Sequence, residues 1–473
     1  MTLRRREMLQ ALGLSAGSLA WAFGCGSSRP EVQRAAGDDR GELRNWLRDG
    51  LARLAAVYPS VHALAVVHHR TTAAIDVLGT SVARGRRDGV VFTVRDAGGV
   101  WREHVTNDLS RNGIRAAITV LAGSGDKRAK LAFPPPPPAA LGLLRIEDTA
   151  LHDAVTMIAS ADKITSSRIV YAAAMIDVDD VTTWSIAPDH DREQRVRRVR
   201  QRVTRAAWNG ARPVVSELER GWTGELGDQQ LREPEVSGVS AAALLQMTPG
   251  RFDDGERTIV LAPGVSAAIL DVAVRGLFGA AAARRPEVAR RLATTTGGAS
   301  ALLTLVDDPT APGAYGGFAF DDEGKPAAPI TLVEAGRIAG WLTRGRRAGH
   351  LGPLEAAPSH LALAPGAFTL AQLAGEGWLL EGRVTTAFDP SSDRLVVGVA
   401  RARELRNGSE TGRVFPDVEL VTDLAGLLAR VDGVGQQAET AVVRDERNGA
   451  PLWRSIAAPH LRTRGVLRAR SFA

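Results

Sequence analysis

Leu303 to Leu342 reads L-T-L-V-D-D-P-T-A-P-G-A-Y-G-G-F-A-F-D-D-E-G-K-P-A-A-P-I-T-L-V-E-A-G-R-I-A-G-W-L, and its turns decide how the second half of the chain folds. Short alternating apolar runs flank Asp321-Asp322-Glu323-Gly324-Lys325-Pro326. There Gly supplies a positive φ and Pro ends a ladder, so a β-hairpin is expected. A further run, Ile330 to Glu334, meets a second turn at Ala335-Gly336, with Arg337 to Leu342 as its partner. Upstream, Thr258 to Leu261 reads as a strand that passes through Ala262-Pro263-Gly264 into an Ala-rich helix, Val265 to Ala283. Downstream, Phe368 to Arg403 is strand-rich and Leu420 to Val431 reads as a helix after Thr422-Asp423.

The amino-terminal half has a different rhythm. Glu42 to Tyr58 places Leu43, Trp46, Leu47, Leu51, Leu54 and Ala55 at helical spacing, which predicts an amphipathic helix. Strands are expected at Val61 to Val67, Ala73 to Leu78, Gly89 to Val94 and Val100 to Val105. Asn107-Asp108-Leu109-Ser110 then caps a helix through Leu121, because such side chains accept the unpaired first-turn N–H groups. Five consecutive prolines, Pro134 to Pro138, must be extended and mark a linker over 129–140. Beyond it the order repeats, with a helix over His152 to Ala161 and strands at Ser167 to Asp177, Thr182 to Ala187, Val196 to Ala207 and Arg212 to Glu219. Helix then strands, twice, predicts an internal duplication. The expected fold class is α+β: a duplicated helix-plus-antiparallel-sheet amino-terminal domain, then a strand-rich carboxy-terminal domain with one central Ala-rich helix.

With 473 residues and 44% hydrophobic content, the chain can bury cores for two or more domains. Its net charge is +6, yet only four of its 59 basic residues are Lys and the charge is dispersed, which points away from nucleic acid. At the amino terminus, Arg4-Arg5-Arg6-Glu7 precedes a mostly apolar run from Ala11 to Gly24, built like an export signal and too short to span a membrane as a helix. Arg5 and Arg6 followed by Glu7-Met8-Leu9 resemble a twin-arginine signal, and Ala22-Phe23-Gly24-Cys25 resembles a lipobox. The simpler alternative is a plain Ala-rich signal with a chance Cys. Cys25 is the sole cysteine, so no disulfide or cysteine-rich metal site forms within one chain. These features divide the chain into an export signal (1–25), a tether (26–41), an amino-terminal domain (42–245) and a carboxy-terminal domain (246–473). They place the mature protein at the periplasmic face of a bacterial envelope, lipid-anchored to a membrane.

The ordered set V-D-D, F-x-F-D-D-E-G-x-P and L-V-E-x-G-x-I-x-G-W-L closely resembles the signature of the TldD/PmbA (TldE) family, whose active members are zinc-dependent peptidases. The resemblance extends to the amino-terminal half with less specific motifs. It implies that the strand, Pro-Gly turn and helix ahead of the signature should carry H-E-x-x-x-H, two His binding zinc and the Glu serving as general base, with a Cys near the carboxy terminus. Positions i and i+5 lie about 140° apart on a regular helix, so local widening is needed to converge them. Aligned on Ala262-Pro263-Gly264 and Gly276-Leu277-x-Gly279, this chain puts Leu270, Asp271 and Arg275 on the motif. Leu270 has no lone pair and Arg275 brings a permanent positive charge. No His lies between His190 and His350, and no Cys follows Cys25. The motif is therefore degenerate, and no catalytic or metal-binding residue and no cofactor are expected. Asp271 with Arg275 reads as a helix-surface ion pair worth a few tenths of a kcal/mol.

Other groups carry weaker signals. His68-His69 are adjacent on a strand and face opposite sides, while His350 and His360 fall on loops. Asp307-Asp308 and Asp321-Asp322-Glu323 lack EF-hand spacing and read as turn formers rather than calcium ligands. Gly433-Val434-Gly435 follows a helix, not a strand, so it is no dinucleotide fingerprint. The seven arginines of Arg192 to Arg205 read as a solvated strand face, with contact to anionic lipid or an acidic partner surface as the alternative. The resemblance then implies a non-catalytic TldE-like subunit or scaffold of an envelope peptidase. Its expected partner is a TldD-type paralogue or a second copy of itself, with unfolded peptide as a candidate substrate. The alternatives are a metallopeptidase with a relocated site and an envelope peptide-binding protein.

Overall fold

The structure, a computed structural model, describes residues 40–123, 127–135, 146–210, 213–245, 252–279, 299–342, 357–447 and 450–470. Arg5, Arg6, Cys25 and His350 lie outside the described residues. The first half is α1 (Arg40–Leu54), β1 (Ser60–Asp76), β2 (Gly79–Arg95), β3 (Trp101–Thr106), α2 (Arg111–Ala122), α3 (Asp148–Ser160), β4 (Ile169–Ala187), β5 (His190–Trp208), β6 (Pro213–Thr223) and α4 (Glu233–Leu245). Its sheet is antiparallel with order β3-β2-β1-β4-β5-β6. The order reads the same from either edge, as a duplicated α-β-β-β-α unit requires. At its middle His69 faces Asp180, and a shift of 111 positions carries His68 onto Asp179, Asp76 onto Ala187 and Gly79 onto His190.

Each half buries its own apolar core beneath its own helices. Leu47, Leu51, Ile114 and Ile118 pack on Ala63, Ala65, Val90 and Phe92, while Leu151, Val155, Val236 and Val239 pack on Ile176, Val199 and Val203. The strands are longer than the sequence suggests, since β1 absorbs the two short runs expected at 61–67 and 73–78 and β4 those at 167–177 and 182–187. The polar residues that break the apolar pattern have partners on the next strand. Arg70 and Thr72 of β1 bond to Asp177 of β4, and His68 bonds to Asp179. The cap of α2 is Ser110, whose hydroxyl accepts from Gly113 N at 3.1 Å, rather than Asn107 or Asp108.

The second half comprises β7 (Gly255–Leu261), α5 (Pro263–Ala273), a π-helical turn (Val274–Phe278), β8 (Leu305–Asp307), β9 (Ile330–Glu334), β10 (Arg337–Ile338), β11 (His360–Leu363), α6 (Leu370–Ala374), β12 (Gly377–Asp389), β13 (Arg394–Arg406), β14 (Ser409–Asp423), α7 (Leu424–Ala429), β15 (Gly433–Arg447) and β16 (Ala450–Ala469). Strand β16 pairs with both β14 and β7, so β7, β12, β13, β14 and β16 close on themselves. Strand β15 pairs antiparallel to β16. Helix α5 is apolar nearly all round and packs on β12, β15 and β16, which makes it the central helix of this half.

Two local expectations change. Residues 308–329 are not a laddered hairpin, for their strand-like contact is one isolated bridge, Phe320 to Pro326. The ladder instead joins β8 to β9 across the whole segment. The turn between β9 and β10 is where expected, with Ala335 (φ 46°) and Gly336 (φ 79°) both left-handed as a tight hairpin needs. Strand β10, however, is only two residues long. In Leu420 to Val431, the first four residues complete β14 and the helix starts at Leu424.

The amino-terminal sheet turns its helix-free face toward the carboxy-terminal half, and this contact is ionic. Asp179 is fully buried and bonded by His68 (2.7 Å), Arg444 (3.3 Å) and Trp453 (3.1 Å), the last two from β15 and β16. Asp177 takes Arg70 and Arg200. Burial pushes both carboxyls up, but these cationic and hydrogen-bond partners outweigh it and hold both below the ordinary carboxylate range. The solvated reading of Arg192 to Arg205 is therefore corrected. Arg197, Arg198, Arg200 and Arg205 are buried, three of them against Asp180, Asp177 and Asp162. Cross-strand register aligns the basic run with the acidic D-V-D-D of β4.

Candidate functional site

Helix α5 begins at Pro263, whose fixed φ suits the first turn, and runs into the π turn at Val274. Leu270 lies in the regular α-helix and Arg275 in the widened turn that begins at Val274, and π turns are common at functional sites. Leu270 is buried among aliphatic neighbours. Asp271 is buried too, with a side chain only 7% exposed. Arg275 Nη2 donates to its Oδ2 at 2.7 Å. From β16, buried Arg454 places Nε 3.0 Å from Oδ1 and Nη2 3.3 Å from Oδ2. Arg454 also reaches Asp445 of β15 at 2.6 Å.

The pair at 271 and 275 is thus one side of a four-membered cluster in which Asp271 and Arg454 are buried while Arg275 and Asp445 reach solvent, so only its Arg275 half matches a helix-surface ion pair. Two carboxylates face two guanidiniums, so the charges balance. Zinc does not fit this set. One position is a hydrocarbon, another is a guanidinium without a lone pair, and the single α5 carboxylate is already held by two cations. Among the described residues, no group of three or more His, Cys, Asp and Glu is placed to hold a metal ion. Sequence reasoning missed Arg454 and Asp445, which lie far from α5 in the chain and belong to no motif.

The acidic groups of the quoted stretch are structural. Asp307 accepts from Ser359 N (2.9 Å), Ser359 Oγ (3.0 Å) and His360 N (2.9 Å), fixing the start of β11. Burial pushes its carboxyl up, and these donors pull against it. Burial also pushes the His360 imidazole below its ordinary value, with Asp307 and Asp308 opposing, and its Nδ1 lies 2.8 Å from Ser455 Oγ. Asp321 Oδ1 accepts from Glu323 N and Lys325 N, both at 2.9 Å, and so folds the turn on itself. His68 is buried while His69 is exposed, on opposite faces of β1.

Residues 315–324 of that stretch are gripped from β5. Arg198 donates to Tyr315 O (2.9 Å) and Gly317 O (2.8 Å) and stacks 4.3 Å over the Trp453 ring. Burial pushes the Arg198 guanidinium down to about 10, against smaller opposing effects of Tyr315 and Asp179. Gln194 accepts from Ala319 N at 2.8 Å and donates to Phe320 O at 3.2 Å. Apart from these, an open cleft of about 850 Å³ between the end of α3 and residues Gly227–Glu235 is lined by none of the aligned motif positions.

Residues 254–469, which hold both the α5 cluster and the quoted stretch, match the family model of the PmbA/TldA metallopeptidase C-terminal domain. This carboxy-terminal region belongs to the TldD/PmbA family. A metalloprotease of Methanocaldococcus jannaschii is 27% identical over 159 residues, covering 30% of this chain and 35% of that relative. The match thus spans about a third of the relative's length. Among solved structures, a candidate modulator of DNA gyrase from Bacteroides thetaiotaomicron superposes with a TM-score of 0.70 at 16% identity, over 92% of this chain and 99% of that one. Another from Thermotoga maritima gives 0.69 at 13% identity, over 90% and 100%. TldE from Thermococcus kodakarensis gives 0.64 at 14% identity, over 90% and 100%. At such identities the likeness is one of fold, and it agrees with the α+β architecture above.

Proposed function

We propose that this TldD/PmbA protein is a non-catalytic, TldE-type scaffold subunit of an envelope peptidase whose zinc is held by a TldD-type partner. The observation that carries the reading is the Asp271–Arg275–Arg454 cluster, which stands where the active members' motif aligns and offers no metal ligand set. In this role Arg454 and Arg275 neutralise Asp271 and hold the π turn against β16. The chain contributes cleft walls and interdomain packing, and bound peptide is positioned but not hydrolysed.

Export by the twin-arginine route and anchoring through a lipid on Cys25 form part of the same proposal, resting on Arg5, Arg6 and the lipobox-like Ala22-Phe23-Gly24-Cys25. No helix of the described residues is long and apolar enough to cross a membrane. The test is purification from the native envelope under mild detergent. Recovery of an H-E-x-x-x-H paralogue, together with less than about 0.1 zinc per copy of this chain after zinc loading and dialysis, is expected. One tightly bound zinc per chain with chelator-sensitive peptide cleavage by the chain alone would overturn it.

A further inference from the structure

Gln194 and Arg198 stand four residues apart on one face of β5, and His190 precedes them by the same interval. The segment 315–324 runs antiparallel beneath them, so the three side chains meet it in turn: Arg198 at 315 and 317, Gln194 at 319 and 320, and His190 at 324. Gly324 has φ +75°, and a Cβ there would run into the His190 ring and the Ser185 hydroxyl. Closure at this end depends on the exact disposition of those two groups.

Ser185 Oγ is buried and lies 2.9 Å from His190 Nε2 and 2.9 Å from His62 Nε2, while His190 Nδ1 lies 3.0 Å from Asp189 Oδ1. Neutral histidines satisfy the chain in one direction: His190 donates through Nδ1 to Asp189, Ser185 donates to His190 Nε2, and His62 Nε2–H donates to Ser185. One added proton is tolerated: on His62 it leaves Nε2–H donating as before, and on His190 it is met when His62 takes the Nδ1–H tautomer and Ser185 turns to donate to His62 Nε2. A second proton is not. Both imidazoles then present N–H to one hydroxyl, its hydrogen is stranded, and two cations stand with ring centroids 5.8 Å apart.

We propose that residues 315–324 form an interdomain strap whose Gly324 end is a latch, released when both His62 and His190 are protonated. Charged groups bear on the pair from every side. Asp189 adjoins His190 and Arg192 shares its face of β5. Glu103 of β3 faces His62 across Thr93, and Asp321, Asp322, Glu323 and Lys325 come from the strap. On the opposite face of the sheet, α1 sets Arg44 and Arg48 against Asp191, and Arg44 also against Glu193. The Arg198 end keeps its charge throughout the range in which histidine titrates, so opening starts from Gly324. The inference is independent of whether the chain is catalytic.

The test is amide hydrogen exchange of the full chain, read on peptides covering 319–326 and 313–318 between pH 7.5 and pH 5 after correction for intrinsic rates. In the wild type, 319–326 is expected to lose about tenfold in protection on the acid side, with 313–318 changing less than about twofold. His62→Gln and His190→Gln, each checked for an unchanged circular dichroism spectrum at pH 7.5, are expected to flatten the step. An equal step in both variants, no step in the wild type, or simultaneous opening of both segments would overturn the latch.

Discussion

Arg87 and Arg198 occupy the same register position in the two copies of the amino-terminal unit, yet their surroundings are opposite. Arg87 lies on the exposed half of β2 and meets Glu446 at 3.1 Å, with side chains 41% and 40% exposed. Arg198 is buried and spends its donors on two backbone carbonyls of the strap, although Asp179 stands opposite it on β4. The same residue type in the same strand position is a solvated charge in one copy and a clamp in the other. What docks on the face decides the role, and the carboxy-terminal half docks mainly on the second copy.

That contrast can be broken from several directions. The largest effect is expected from Asp177→Asn, which leaves Arg200 and Arg70 without their buried carboxylate and should cost about 3–5 kcal/mol in urea unfolding. Asp177 also sets an acid limb. Its folded carboxyl titrates below the unfolded one, so its stabilisation is complete above about pH 4 and is lost as pH falls below that. Unfolding midpoints against pH should therefore fall less steeply below pH 4 in the variant. Arg198→Ala, which strands two carbonyls and opens a void beside Trp453, should cost about 2–4 kcal/mol and expose the strap to protease. Gly324→Ala, placing a Cβ against His190 at a left-handed φ, should cost about 1–3 kcal/mol by the same measurement. Arg87→Ala, the counterpart of the clamp substitution, should cost less than about 0.5 kcal/mol, and less again in high salt. Equal losses at 87 and 198 would abolish the distinction between the two copies.

Much of the architecture was legible in the chain because it follows from local chemistry. Helical spacing found α1, and the signature turn at Ala335-Gly336 appeared where two left-handed residues were needed. The strand lengths were not legible, because His68 and Arg70 interrupt the apolar pattern and find their partners only across the sheet. The buried arginines escaped for the same reason. A usable signal existed in D-V-D-D at 177–180 and R-V-R-R-V-R at 195–200, complementary runs on consecutive strands. At the candidate site, Leu270, Asp271 and Arg275 could be aligned by motif. Arg454 and Asp445 could not, since they reach α5 from the last hairpin only through tertiary packing. The segment 308–329 folds back at Asp321–Pro326 as its turn chemistry requires, but the ladder stops at one bridge, Phe320 to Pro326, and residues 315–320 bond instead to side chains of β5.

The π turn at Val274–Phe278 makes side chains and backbone unequal in what they can give up. It holds one residue more than an α-helix accommodates. Deleting that residue would rotate everything beyond it by about 100° and draw it back by about 1.5 Å. Gly276 would leave Phe388 and Gly279 would leave its bridge to Leu342. A ligand, by contrast, is exchanged by a single codon with the helix undisturbed. In this segment side-chain identity is therefore the replaceable part and residue count the constrained one.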